Sequence, residues 1–480
     1  MGLVVPWGFM IARHTLTYVG SRGFAAALNM AALAVFTRLA PTDVFGFYLL
    51  VLSWALVLYS ATCQWPKFSF FALYTEERAA PQVGTVVRLL GGMVLIAALV
   101  AIGAAAAGLV APRVAVSILM AVFGMMAFEG AAEIARTRLE VGAVALAIVL
   151  RAVLVLALGS TALLAGGGAL GLLLATATAN LLAAIPALLS IRTLLRGPGD
   201  WGEARRFLAY GWPLVLSFAA AALAQTVDRL IIGASIGVAE LGAYGAFADF
   251  LRQSFVVFGD SIALSLISIA KHEARDGGLA AARPVLEDAA RLLTVIAAFG
   301  AVFFLCFDDL LVGILLGADY RGTALRVAPL LIAASILQML RSYYFGQVIY
   351  FTRTSHLDAV ASVTLLVVIG GLSALLVPRY GVEGAAIAMV VGQALACLVF
   401  LFGARDGSRM PVPLRDVALI AAAAVLCGLV LTAFGAVPLD ARAALVLKLG
   451  CLGLVSIGTA WHFNILGLAD QAVRRFRRAA

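Results

Sequence analysis

Charge is what this chain of 480 residues has least of: Asp, Glu, Lys and Arg together make up 12% of it, about half the share of an ordinary soluble domain. A globule so poor in charge has no means of covering its own surface in water. Lysine is nearly missing, with Lys67, Lys271 and Lys448 standing alone among the 34 basic residues. The five cysteines (Cys63, Cys306, Cys397, Cys427 and Cys451) show no C-x-x-C spacing, which argues against a disulfide frame and a metal knuckle. Four scattered histidines without an H-E-x-x-H run argue against a metal hydrolase, and with no G-x-x-x-x-G-K-[ST] there is no P-loop to hydrolyse ATP. Met1 to Arg13 lacks the charged, apolar and small-residue zones of a signal peptide, so targeting is expected to come from the first span itself. The longest polar connections, 65–88, 191–207 and 271–290, are far shorter than the roughly 50 residues of the smallest catalytic domain. Arginines spread over many short loops make no basic stripe, so nucleic acid is not an expected partner.

What the chain does have is hydrocarbon. Hydrophobic residues make up 64% of it, with a mean hydropathy of +1.07. The apolar runs far exceed the roughly 9–11 residues of a barrel strand and match the about 20 of a spanning helix. The sequence therefore predicts an all-α membrane protein with about 14 transmembrane helices, by counting runs of spanning length. The first run covers 14–37, the second 44–64, and the tenth 326–351.

Orientation follows from the basic residues, which collect in cytoplasmic loops. Arg22, Arg151, Arg229, Arg252, Arg341 and Lys448 fall inside spans. Arg38, Arg113, Arg321, Arg326, Arg379 and Arg442 fall in one set of connections, and the remaining twenty-two fall in the alternate set or the ends. That asymmetry predicts that both termini are cytoplasmic. The segment 271–290 reads as a short amphipathic helix at the membrane surface, and the basic tail Arg474 to Arg478 as a headgroup-facing end.

Residues 14–54 and 210–250 echo one another. Each holds a long span rich in small residues, a turn with an acid (Asp43, Glu240), then Gly-x-Tyr: Gly46 and Tyr48, Gly242 and Tyr244. The two glycines are 196 positions apart, a distance of six spans. A six-span repeat keeps its orientation, so its halves relate by an axis along the membrane normal and leave a cleft between them.

Tyr18, Ser21-Arg22-Gly23, Arg38-Leu39 and Phe45-Gly46-x-Tyr48 resemble the start of the polysaccharide-repeat-unit flippases, a family of the multidrug/oligosaccharidyl-lipid/polysaccharide exporter superfamily. Tyr210-Gly211-Trp212-Pro213-Leu214 and Val227-Asp228-Arg229-Leu230-Ile231-Ile232-Gly233 resemble the opening of its second half. Tyr380-Gly381-Val382-Glu383-Gly384-Ala385-Ala386 resembles its late Tyr-Gly-x-x-Gly-Ala-Ala element. The resemblance implies two six-helix lobes around a central cavity plus two C-terminal helices. It divides the chain into an N-lobe at 1–190, a cytoplasmic linker at 191–207, a C-lobe at 208–403, spans 13 and 14 within 404–465, and a basic cytoplasmic tail at 466–480. It also implies that a lipid-linked sugar is moved by alternating access.

Ionisable groups inside hydrocarbon are costly and usually face a cavity or a partner. His14, Tyr18, Arg22 and Asn29 fall on one face of the first span, with Arg22 eight residues in. The family likeness associates such an arginine with the charged head of the lipid carrier. Arg22, Asn29, Gln338 and Arg341 are the expected substrate contacts. Gln225, Asp228, Arg229, Asp249, Arg252 and Asp260 are the expected gate or ion-coupling residues, with a salt-bridged hairpin lock as the structural alternative for Asp228, Arg229, Asp249 and Arg252. Arg151 and the Glu129/Glu133 pair are expected to neutralise each other.

These residues point to an inner-membrane flippase, not an enzyme. It would need no cofactor and would export an anionic polyprenyl-linked glycan, with membrane lipid, a coupling proton or sodium ion, and polysaccharide-assembly proteins as partners. Guanidinium groups suit that cargo, because they replace phosphate hydration with charge-assisted, often bidentate bonds. A drug or organic-cation extruder of the same superfamily is the first alternative, and a membrane-embedded polymerase or acyltransferase the second.

Overall fold

A computed structural model describes residues 7–351, 356–403, 409–434 and 440–465. Among the described residues there are helices and turns but no strands. Bilayer hydrocarbon offers the backbone no partner, so a spanning segment must satisfy its own N–H and C=O groups, as a helix does.

The first part of the chain forms α1 (Trp7–Leu39), α2 (Thr42–Thr62), α3 (Gln64–Leu73), α4 (Ala79–Ala106), α5 (Pro112–Thr137), α6 (Val141–Leu164), α7 (Gly168–Ser190) and the single turn α8 (Arg192–Leu195). Next come α9 (Trp201–Ser235), α10 (Val238–Ile262), α11 (Ser268–Cys306) and the short α12 (Asp308–Leu315). The rest is α13 (Ala318–Tyr343), α14 (His356–Tyr380), α15 (Val382–Gly403), α16 (Leu414–Ala433) and α17 (Ala441–His462). Thirteen helical stretches among the described residues are long and apolar enough to cross a membrane, and the 33-residue α1 precedes them. The protein is therefore a multi-pass membrane protein. Exposure of Leu99 at 70% and Leu216 at 79% is untenable in water as part of so large an apolar surface and natural against acyl chains.

The described residues fall into two compact units. The first draws on Met1–Phe247, Leu315–Thr323 and Ile369–Ala385; the second draws on Ala248–Ile314, Ala324–Val368 and Ala386–Ala480.

In the first unit α6 packs against both α1 and α7, and α7 also against α5. Small side chains permit this: Ala147 of α6 and Ala183 of α7 are fully buried beside Phe128 of α5. The two Gly-x-Tyr sites meet. A Cβ on Gly46 would collide with the Val238 carbonyl and the Gly242 backbone, and one on Gly242 with the Thr42 carbonyl and Gly46. Two residues on, the Tyr48 hydroxyl lies 3.3 Å from Thr176 Oγ1, and the Tyr244 hydroxyl donates to Asp228 Oδ2 at 2.9 Å.

The connection before α9 is pinned to α4. Glu203, 1% exposed, accepts from Arg78 at 2.6 Å, Arg206 at 3.0 Å and Gln82 at 3.2 Å. Arg88 donates to the Gly197 carbonyl at 3.0 Å, and the Asp200 amide donates to Thr85 Oγ1 at 2.9 Å.

In the second unit α11 packs against α16 and α17 through Phe299, Phe307, Ile420, Cys427, Leu431 and Leu452. Arg291 on α11 donates to Asp416 on α16 at 2.8 Å and to Asp288 at 2.7 Å. The Tyr344 hydroxyl donates to the Leu286 carbonyl at 3.2 Å and also to the Pro411 carbonyl.

The segment 271–290, whose later part runs on into the apolar stretch of α11, is helical on both sides of a kink at Gly278 (φ 66°). That conformation suits a residue without a Cβ. The basic tail at 466–480 lies outside the described residues. The five cysteines are all free.

Candidate functional site

A cavity of about 400 Å³ lies inside the first unit. Three helical stretches line it by stripes of three- and four-residue spacings, the repeat that keeps side chains on one helical face. Helix α2 and its continuation α3 give Leu56, Tyr59, Ser60, Gln64 and Lys67; α5 gives Met125, Phe128 and Glu129; α9 gives Phe218, Ala221, Ala222 and Gln225. Arg151 of α6 and Asn180 of α7 complete the wall.

Lys67 is where sequence and structure part. Gln64, Pro66 and Lys67 look like the start of a polar loop, and the sequence reading places Lys67 in the connection 65–88. The chain stays helical through Leu73, with Cys63 in right-handed helical geometry between α2 and α3. Pro66 sits in the first turn of α3, where a missing N–H costs nothing. Lys67 is consequently buried at 6% exposure, with Nζ 3.6 Å from Glu129 Oε2 and 5.1 Å from the Tyr59 ring centroid. It lies beyond the apolar span of α2, and burial pulls its ammonium below the ordinary lysine value while Glu129 opposes that fall.

Arg151 also departs from expectation. Its Nε donates to Asn180 Oδ1 at 2.7 Å, and its guanidinium carbon sits 4.9 Å from the Phe128 ring centroid. Glu129 pairs with Lys67, and Glu133 pairs with Arg136 at 2.6 Å. Arg151 is thus left with neutral partners, an amide oxygen and a ring face. The Tyr59 hydroxyl, buried in the same wall, has no hydrogen-bond partner among the described residues. A buried polar atom left unpaired calls for an explanation such as an unseen ligand or water.

Of the ten residues expected as substrate, gate or coupling contacts, Gln225 alone lines this cavity, with its amide donating to the Ala221 carbonyl at 3.3 Å; Arg151 and Glu129, expected only to neutralise each other, line it as well. Arg22 and Asn29 are both exposed on α1, which packs on α6. The side chains of His14 and Tyr18 lie outside the described residues. Because α1 begins at Trp7, Arg22 is about 22 Å along it at 1.5 Å per residue, further from the helix start than a beginning at residue 14 suggests. Asp228 of α9, 4% exposed, is held by Tyr244, and Arg229 is half-buried beside it.

In the second unit Arg341 sits in the last turn of α13, which begins at Ala318 and gives way to a tighter 3₁₀ turn at Phe345–Tyr350. Its Nε donates to Gln393 Oε1 at 2.9 Å, and Gln338 lies one turn earlier. Asp249 and Arg252 pair within α10 at 2.8 Å. Asp260 lies just before a π-helical turn at Ala263–Ile267, a feature frequent at functional sites.

No curated protein matches the sequence. Among solved structures the fold is similar to "Lipid II flippase MurJ, inward closed conformation", with a TM-score of 0.72 and 11% identity over 93% of this chain and 98% of that one. It is also similar to an inward-facing multidrug resistance MATE family transporter of the MOP superfamily (TM-score 0.56, 14% identity, 85% and 95% covered). A MOP superfamily transporter from Pyrococcus furiosus, whose title reports reverse polarity of its binding pocket, matches with a TM-score of 0.53 and 14% identity over 85% and 96%. These neighbours are named as a flippase and transporters, not enzymes. The family model described as "Polysaccharide biosynthesis protein" matches residues 82–325, just over half of the chain and including α5, α6, α7 and α9 of the cavity wall; the chain belongs to that family.

Proposed function

We propose that this protein flips a polyprenyl-pyrophosphate-linked oligosaccharide outward across a bacterial inner membrane for polysaccharide assembly. The observation that carries the reading is Arg151, a guanidinium on an apolar helix that opens on a cavity and has, among the described residues, only neutral partners. Keeping such a charge in hydrocarbon is expensive and points to function. With Lys67 beside it and Glu129 as the one acid among the lining residues, the wall sums to one positive charge. That suits an anionic headgroup and repels the organic cation of a drug extruder.

Arg341 on neutral Gln393 offers a second guanidinium in its own unit. With Gln338 and, on α1, Arg22 and Asn29, it makes the proposed further contacts to the cargo. Gln225, Asp228, Arg229, Asp249, Arg252 and Asp260 are proposed to gate the path or couple it to a proton or sodium ion. The mechanism is alternating access between two lobes of six spans, 1–190 and 208–403. The arginine excess puts both termini, and the Lys67 end of the cavity, toward the cytoplasm.

The test is a deletion strain complemented with wild type or with Arg151→Ala. Unexported lipid-linked oligosaccharide should accumulate in the deletion and clear with wild type but not with Arg151→Ala. A deletion strain that accumulates none overturns the reading.

A further inference from the structure

The cavity wall holds two kinds of polar group. Lys67, Glu129 and Arg151 are charged, whereas Ser60, Gln64, Asn180 and Gln225 are neutral. Among the described residues the neutral four leave much of their hydrogen-bonding capacity unused. Ser60, 8% exposed, and Gln64 make no side-chain hydrogen bond. Asn180 accepts from Arg151 through Oδ1, which leaves its two N–H donors, and Gln225 donates to the Ala221 carbonyl, which leaves its Oε1 acceptor. The Tyr59 hydroxyl is buried without a partner in the same wall.

Donors and acceptors are mixed here, and that narrows the ligand. A phosphate oxygen only accepts and an ammonium only donates, so either one leaves part of each amide unanswered. A hydroxyl does both. A wall of this kind favours a ligand that pairs all of its groups over one that pairs a few, because each polar group left unpaired on binding weakens the complex.

The neutral groups stand next to the cations. Asn180 touches Arg151 directly. Gln64 and Ser60 precede Lys67 by three and seven residues on one helical face, about 4.5 Å and about 10 Å along it. Opposite them on α9 the small Ala221 and Ala222 leave room beside Phe218, whose ring Phe68 meets at 5.5 Å between centroids and 65° between planes. A pyranose suits such a place, since its C–H face is apolar and its rim is polar. The volume of about 400 Å³ lies at the lower end of the roughly 300–1,000 Å³ of ligand pockets. It has room for one ring and its phosphate, and not for a whole oligosaccharide.

Resting on the reading of this cavity as a headgroup site, we infer that Ser60, Gln64, Asn180 and Gln225 form a subsite for the hydroxyls of one uncharged sugar ring, the ring joined to the phosphate. The cavity thereby selects a sugar-bearing carrier over a bare one and leaves the rest of the glycan unread.

The test measures affinity in the full chain in detergent at pH 7 by calorimetry. Its probes are the glucosyl, cyclohexyl and methyl esters of farnesyl phosphate. All three carry one negative charge; the first two have a six-membered ring, and the glucosyl ester alone has hydroxyls. Each hydrogen bond to a neutral group is worth roughly two- to tenfold in affinity. The wild type should therefore bind the glucosyl ester at least about tenfold more tightly than the cyclohexyl ester. Ser60→Ala and Gln64→Ala should each cut that ratio by roughly two- to tenfold. Equal wild-type affinity for the glucosyl and cyclohexyl esters, a comparison that needs no variant, overturns the inference and leaves the headgroup reading standing. A ratio unchanged in both variants does the same. If none of the three esters binds, both are lost.

Discussion

Gly46 on α2 and Gly242 on α10 lie backbone to backbone, each occupying the space that a Cβ on the other helix would need. The obstructing atoms are the carbonyls of Val238 and Thr42, which cannot rotate aside as a side chain can. Gly46→Leu or Gly242→Leu must therefore push the two helices apart. The expected cost is about 1–3 kcal/mol, the usual range for overpacking, read as a lowered midpoint of thermal unfolding in detergent. A substitution at Gly20, where a Cβ would meet nothing within 4 Å, should leave the midpoint unchanged.

Arg151 and Asn180 make separable contributions. Replacing Arg151 by Gln removes the charge, and a hydrogen bond to a charged group is worth about 1.5–3 kcal/mol. Export of lipid-linked oligosaccharide should then fall by roughly tenfold to a hundredfold. Asn180→Ala keeps the charge and loses only its positioning, so a smaller fall is expected. Equal rates for wild type and Arg151→Gln would detach the guanidinium from transport.

If the cavity binds an anionic head as proposed, Lys67 should make that binding sensitive to alkali. Its ammonium is pulled below the ordinary lysine value by burial, so its charge is lost as pH rises, at a pH lower than an exposed lysine requires. Binding of a prenyl phosphodiester should weaken over that alkaline window. In Lys67→Arg the charge persists, and the pH profile should flatten there. Titrating affinity from pH 7 to 10 in both proteins decides it.

Glu203 should be worth less than its full burial suggests. Removing one partner of a buried ion pair costs about 3–5 kcal/mol when the other charge is stranded. Here Arg78 and Arg206 are 58% and 53% exposed and remain hydrated after the carboxylate is gone. Glu203→Ala is expected to cost about 1–3 kcal/mol, mostly from the lost hydrogen bonds. A denaturation midpoint in detergent measures this, and Arg78→Ala should cost less still.

The helical membrane architecture was legible in the sequence because hydrocarbon imposes a length and an apolar composition on every span. The Gly-x-Tyr echo was legible too, and the structure gives it a reason in the contact of Gly46 with Gly242. The cavity was harder to read because its wall is assembled from five separate stretches of chain. Lys67 was hidden by Pro66, a residue that reads as a loop signal and here occupies the first turn of a helix. Even so, Leu56, Ser60, Gln64 and Lys67 follow helical spacing, and carrying that stripe past the apolar limit would have exposed it. Arg151 was noticed but matched with the wrong partners, because proximity in sequence order says nothing about which of two acids a neighbouring helix has already claimed.

Tyr344 ties the start of the last two helices to the rest of its unit by donating to the carbonyls of Leu286 and Pro411, and Asp416 answers Arg291 just beyond. Attempts to trim this chain to a minimal twelve-helix carrier should therefore fail. Cutting before Pro411 removes an acceptor from a buried phenol, takes a counter-charge from Arg291, and uncovers the flank of α11 that Ile420 and Leu431 now sheath.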